Sequence, residues 1–191
     1  MGFAKFPASD FMAAGLTQSQ IDGLMMVGAT EAIHVDTLLS AIAGTGTAPV
    51  QPCQYNFGFT DAKGMLATAQ VLEAVGVSAY LGAAPLINSS AILGTAATIA
   101  TVESRHQTFI RSAGGSVAVP AAFDTPLGPR GVFTLAAQFI TSCPPGSNLN
   151  VQAFPSIKLD PAPTNMTAGM SLVLKDMAQP SGAAFCGFIN Q

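Results

Sequence analysis

The alternation of apolar and polar positions divides the chain into three long helical stretches, two short ones and a strand-like tail. Thr17-Gln18-Ser19-Gln20 reads as a capping box, with Thr17 at the N-cap and Gln20 three positions on. The helix it opens carries Ile21, Leu24, Met25, Val27, Leu38 and Ile42 as a wide apolar face and should stop at Gly44-Thr45-Gly46. A shorter helical turn is expected over residues 9–14. Pro49 to Gly58, dense in Pro, Cys and aromatic side chains, reads as an ordered loop. Thr60 or Asp61 then caps a second long helix, which runs through Glu73 and Tyr80 until Pro85 ends it. Asn88-Ser89-Ser90 opens the third, which ends at Gly114-Gly115. Gly64, Gly76, Gly82 and Gly94 are poor helix formers, tolerable where helices approach closely. A short apolar helix over residues 132–140 follows the turn from Asp124 to Pro129.

After Cys143 the pattern changes. Pro144-Pro145-Gly146-Ser147-Asn148 is a turn or linker, and residues 156–159, 171–174 and 184–189 read as short strands. The expected division is a helical bundle over 1–143 and a β-rich tail over 144–191. Three short strands do not make a well-covered sheet, so the tail reads as incomplete.

Composition narrows the function. Of 191 residues, 49% are hydrophobic and 9% charged, so tight packing of small residues must replace the usual charged surface. Net charge is −3, and the seven Lys and Arg are dispersed singly, which argues against a nucleic-acid partner. Residues 64–102 carry Glu73 as their sole formal charge, so a membrane hairpin has to be considered. The stretch is mostly Ala, Gly, Thr and Ser without Trp or basic flanks, and buried helices are expected rather than a span. Met1 to Pro7 lacks the apolar core of a secretory signal. Cys53 and Cys143 each border a predicted helical region. A bridge between them suits an extracellular protein, and unpaired buried thiols suit the residues as well. Met25, Met26 and Met65 read as gap-filling core residues rather than soft metal ligands.

The candidate chemistry lies in three glutamates and two histidines, the whole complement of both residue types. His34 follows Glu31 by three positions, His106 follows Glu103 by three, and Glu73 lies between the pairs. Residues at i, i+3 share a helix face. Two such pairs, with glutamates from two other helices, are the inward ligand set of di-iron and di-manganese bundles. Random placement would give both pairs in about one of several thousand chains. Each pair taken singly reads as a surface pair, but Glu73 sits among apolar and small neighbours. Glu31, His34, Glu73, Glu103 and His106 are therefore the candidate metal ligands, for iron or manganese, two ions in the intact domain. Tyr80 lies seven residues after Glu73 on the same face and reads first as a core tyrosine. Glu73 precedes Glu103 by 30 residues, and the same step back from Glu31 reaches position 1, where there is no glutamate. A first helix with a sixth ligand is expected to be missing from this sequence.

Gly28 to His34, Val71 to Leu86 and Val102 to His106 resemble the ferritin-like domain of fungal stress-response and plant desiccation-related proteins. Pro52 to Phe57 and Phe123 to Leu127 share the resemblance, which covers about residues 2–155. It implies an all-α fold, a ferritin-like up-down helical bundle with three long helices present and the first absent, followed by a short β segment. It implies a carboxylate-bridged metal pair at Glu31, His34, Glu73, Glu103 and His106. It further implies a preceding signal peptide, hence an extracellular or secretory-pathway location for the full-length form, and a tail continuing past Gln191. The chain then reads as a portion of a longer protein with a remnant di-metal site for oxygen or peroxide chemistry in a stress response. The alternative is a non-catalytic, stress-associated structural or binding protein that retains the bundle. The groove left by the absent helix is expected to favour self-association and to weaken metal binding by this chain by itself. A Cys53–Cys143 bridge is expected in the mature form, with Cys186 left over.

Overall fold

A computed structural model describes residues 2–147, 151–161, 164–165, 167 and 169–176. Each long helix begins where a side chain caps its free N–H groups. After a short α1 (Ala8–Ala13), α2 (Gln18–Gly44) opens with the reciprocal Thr17–Gln20 box, in which Gln20 Oε1 accepts from the Thr17 N–H at 2.8 Å. Asp61, rather than Thr60, caps α3 (Ala62–Ala83), its carboxylate accepting from the Gly64 N–H at 2.7 Å. A 3-10 turn at Ala84–Leu86 follows, where Pro85 ends the α-helix. Ser89 caps α4 (Ser90–Ala113) through the Ile92 N–H, and Gly115 closes that end with a φ of 77°.

One apolar cluster ties these elements together. It joins Phe11 of α1, Ile21, Leu24 and Val27 from the start of α2, Met65 and Leu66 from the start of α3, and Ile110 near the end of α4. Hence α2 and α3 run in the same direction and α4 runs against them. Residues 45–61 must carry the chain back along the bundle, because parallel neighbours need a crossover. Midway, the crossover is pinned to the far end of the helical region. Cys53 is bonded to Cys143, with Cα atoms 4.2 Å apart, so the expected bridge is present. Beside it, β1 (Gln54–Tyr55) pairs antiparallel with β2 (Ile140–Ser142). Close approach explains two helical glycines. A Cβ at Gly82 would strike the Leu127 carbonyl, and one at Gly76 would come within 2.7 Å of the Glu103 carboxylate. Gly94 has nothing within 4 Å, so close approach does not account for it.

Ala62–Leu86 is the one helix, among the described residues, long and apolar enough by length and composition to cross a bilayer. In this fold it is the central helix, packed on α4 and on α5 (Pro129–Ala137), with Glu73 buried at its middle.

Several expectations need correction. The short apolar helix spans 129–137 rather than 132–140, because Pro129 favours the first helical position and Ile140 is drawn into pairing with Tyr55. Met65 is buried, whereas Met25 and Met26 are 39% and 64% exposed. Leu24 and Val27 point into the core, and the two methionines between them turn away from it. Leu38 and Ile42 are also exposed, since no described element covers that side of α2 beyond Glu31. In the tail, β3 (Ile157–Leu159) pairs antiparallel with β4 (Leu174–Asp176), so the second strand lies later than the expected 171–174. The third expected strand, 184–189, and Cys186 lie outside the described residues.

The bridge closes a loop with a sequence separation of 90, worth about 4.6 kcal/mol in the chain-entropy account. Cys143→Ala should therefore lower the urea midpoint markedly. An unchanged midpoint would show that the bridge adds no stability to the fold.

Candidate metal centre

Three helices deliver the five titratable side chains to one place. Glu31 and His34 come from the middle of α2, Glu73 from the middle of α3, and Glu103 and His106 from α4. All five residues are brought together. His106 Nδ1 lies 2.8 Å from Glu31 Oε1 and 3.4 Å from Glu73 Oε2. His34 Nδ1 lies 3.3 Å from Glu31 Oε1 and 3.2 Å from Glu103 Oε1. Ligand atoms of Glu31, Glu73, Glu103 and His106 all fall within 4.8 Å of one another. Glu73, Glu103 and His106 are buried, and Glu31 is the most open, with 35% of its side chain exposed.

The contacts are close but poorly directed. Glu31 Oε1, His34 Nδ1, Glu73 Oε2 and His106 Nδ1 are buried without a hydrogen-bond partner. Buried polar atoms left this way are costly, and a divalent cation held by Glu31, Glu73, Glu103 and His106 would offset that cost. Carboxylate oxygen with imidazole nitrogen is a donor set suited to iron, manganese or zinc. The cluster therefore fits a metal site.

Thr30 orients one imidazole. Its hydroxyl proton goes to the Val27 carbonyl, 2.8 Å away, so its oxygen accepts from His106 Nε2–H at 2.9 Å. That leaves Nδ1 of neutral His106 with a free lone pair facing the carboxylates, the usual way an outer hydrogen bond selects the ligating nitrogen. Nothing in the Glu-x-x-His spacing points to Thr30. Its only sequence signal is its place beside Glu31 on α2.

Proton affinities at the site are raised. Burial lifts Glu103 to about 8, helped by the charges of Glu31 and Glu73 and a hydrogen bond with Glu73, and opposed by His106. Burial would lower His106, but its contacts with Glu31 and Glu73 outweigh this and raise it to about 9. Tyr80 rises to about 12 through burial and the nearby charges of Glu103 and Glu31, so the phenol keeps its proton. The cluster without metal thus holds protons where cations would otherwise sit.

A cavity of about 350 Å³ reaches this cluster from the surface. Glu31, Glu73 and Glu103 line it at one part, and the crossover residues Tyr55, Phe57 and Phe59 at another. The alternation Tyr55-Asn56-Phe57-Gly58-Phe59 was its one sequence signal.

Stability without metal should depend on pH in a definite direction. Glu103 titrates near 4.5 and His106 near 6.5 when unperturbed, against about 8 and about 9 in the fold. The fold binds more protons than the unfolded chain across that window, so its stability falls as pH rises. The urea midpoint of metal-free protein should be higher at pH 5 than at pH 9, and the reverse order would contradict these shifts.

Comparison with known proteins agrees with the geometry. The protein rds1 of Schizosaccharomyces pombe (strain 972 / ATCC 24843) is 26% identical over 171 residues. That alignment covers 88% of this chain, and the chain spans 42% of the length of the curated relative it matches. The family profile described as ferritin-like domain matches residues 1–116, more than half of the chain and all three helices that carry the cluster. The chain belongs to the ferritin-like domain family.

Proposed function

We propose that Glu31, His34, Glu73, Glu103 and His106 belong to a site that holds a pair of iron or manganese ions in the intact domain, more weakly in this chain by itself, and that the site serves oxygen or peroxide chemistry in a stress response. The observation that carries the reading is the convergence of carboxylates and imidazoles from all three long helices, with ligand atoms of Glu31, Glu73, Glu103 and His106 within 4.8 Å of one another. Bound iron or manganese supplies Lewis acidity and a redox change toward oxygen or peroxide. The side chains divide the remaining work. Thr30 holds the His106 ring so that Nδ1 faces inward. Glu103 and His106 carry protons at neutral pH and surrender them when a cation enters. Tyr80 stays a neutral phenol beside Glu103 and Glu31. Gly76 leaves room for the Glu103 carboxylate on α3. The Cys53–Cys143 bridge supports an oxidising compartment, extracellular or along the secretory pathway.

Metal content tests the assignment. Protein loaded with manganese(II) and desalted should retain about one to two ions per chain in the intact domain, and fewer in this chain by itself. Glu73→Ala should lose retention, Tyr80→Phe should keep it, and Thr30→Val should weaken it about tenfold. Gly76→Ala should also weaken retention by displacing the Glu103 carboxylate, although alanine favours the helix by about 1 kcal/mol. Equal retention in Glu73→Ala and the unmutated chain, or fewer than about one ion per chain once a preceding helix with an inward glutamate is supplied, would overturn the site.

A further inference from the structure

The cavity beside the cluster is built from a part of the chain that metal binding does not require. Tyr55, Phe57 and Phe59 stand two residues apart on the crossover. The Tyr55 and Phe57 rings are stacked with centroids 5.8 Å apart and planes 13° apart, and Phe57 and Phe59 repeat this at 5.8 Å and 7°. The wall is anchored from several sides. The Cys53–Cys143 bond and the β1–β2 pairing fix its start. The Asn56 N–H donates to the Phe139 carbonyl at 2.8 Å, and the Phe139 ring packs on Phe57. Gly58, with a φ of 71°, makes the turn between the last two rings, and its N–H donates to the Asn56 side chain. Ala69 and Leu72 of α3 line the cavity with it, and the glutamates supply its polar part. A largely apolar cavity of about 350 Å³ with a few convergent polar groups has the character of a small-molecule site.

We infer that this cavity binds a small planar phenol, its ring against the Tyr55–Phe57–Phe59 wall and its hydroxyl toward the glutamates. The inference rests on the metal-centre reading for what lies at the polar end, but not for the wall. Two features select the class. Ordered parallel rings favour a flat aromatic over a saturated molecule of equal size. Glu31, Glu73 and Glu103 line one part of the cavity, so a purely hydrocarbon ligand would cover carboxylates without a hydrogen bond, whereas a hydroxyl either donates to them or approaches a cation they hold. An organic ammonium is the competing class, because three carboxylates line the polar end. Lys5 Nζ, 4.9 Å from the Phe59 ring centroid and donating to the Phe59 carbonyl at 3.2 Å, shows that this aromatic segment already holds one cation beside the cavity.

The test is equilibrium binding of 4-nitrophenol, followed by its absorbance, to the full chain with and without manganese(II). Metal content is measured in parallel. Saturable binding tighter than about 1 mM is expected. Leu72→Trp, which fills the cavity, should weaken it at least about tenfold while leaving metal retention unchanged. Tyr55→Leu, at an exposed position, should weaken it several-fold and serves if the tryptophan variant does not fold. Cyclohexanol and benzylammonium should compete poorly. Retained metal with no saturable nitrophenol binding would overturn this inference and leave the metal site standing. Nitrophenol binding lost in Leu72→Trp, by a chain that retains no metal, would support the cavity independently of the metal reading. Equal binding by both variants and the unmutated chain, or equally tight binding of benzylammonium, would overturn the inference.

Discussion

Three carboxylates and two imidazoles meet inside a helical bundle that has few other charges, and something must neutralise them there. An unpaired charge in such surroundings is costly enough to oppose folding. Proton uptake is one answer, visible in the raised affinities of Glu103 and His106. Cation binding, as proposed above, would be the other, through the same atoms. The two states would exclude each other at Nδ1 of His106, where Thr30 holds the opposite ring nitrogen. On that proposal, metal binding and the pH dependence of stability are two readouts of one compensation.

The rest of the fold positions that compensation. Capping at Thr17, Asp61 and Ser89 fixes where each long helix begins, and so the phase at which Glu31, Glu73 and Glu103 arrive. The apolar cluster around Phe11, Leu24 and Met65 locks the helices at one end, beyond the metal centre. Gly76 then brings α3 up to the Glu103 carboxylate. The crossover from α2 to α3 passes over the centre as an aromatic wall, held by the Cys53–Cys143 bond. Access from solvent to the carboxylates is shaped by a loop, whereas their relative placement is set by helices.

Much of this was legible in the residues because local rules decided it. The capping box at Thr17, the pair of i, i+3 motifs and the proline at 85 each act within a few positions, and all three helices fall where those signals put them. The ligand set could be read because a charge amid the small apolar neighbours of Glu73 has few structural explanations. What depended on long-range packing was not legible. Thr30 looks like any helical threonine until α4 places His106 against it. Met25 and Leu38 fit an apolar stripe, but burial requires a covering element, and none of the described residues lies over that face. Ile140 fits the end of a helix, yet its pairing with Tyr55 across the disulfide-bonded region makes it a strand. Tyr55, Phe57 and Phe59 form a wall only because the crossover folds back beside Glu31 and Glu73.

The central claim is that cations and protons compete for one set of buried atoms. Its most direct test is titration of metal-free protein with manganese(II) at pH 7, in two buffers of different ionisation enthalpy, to count protons released. With Glu103 at about 8 and His106 at about 9, both are largely protonated at that pH. The account predicts release of about two protons per chain on saturation, and none from Glu73→Ala because the cation no longer binds. Saturating metal binding without proton release would contradict it.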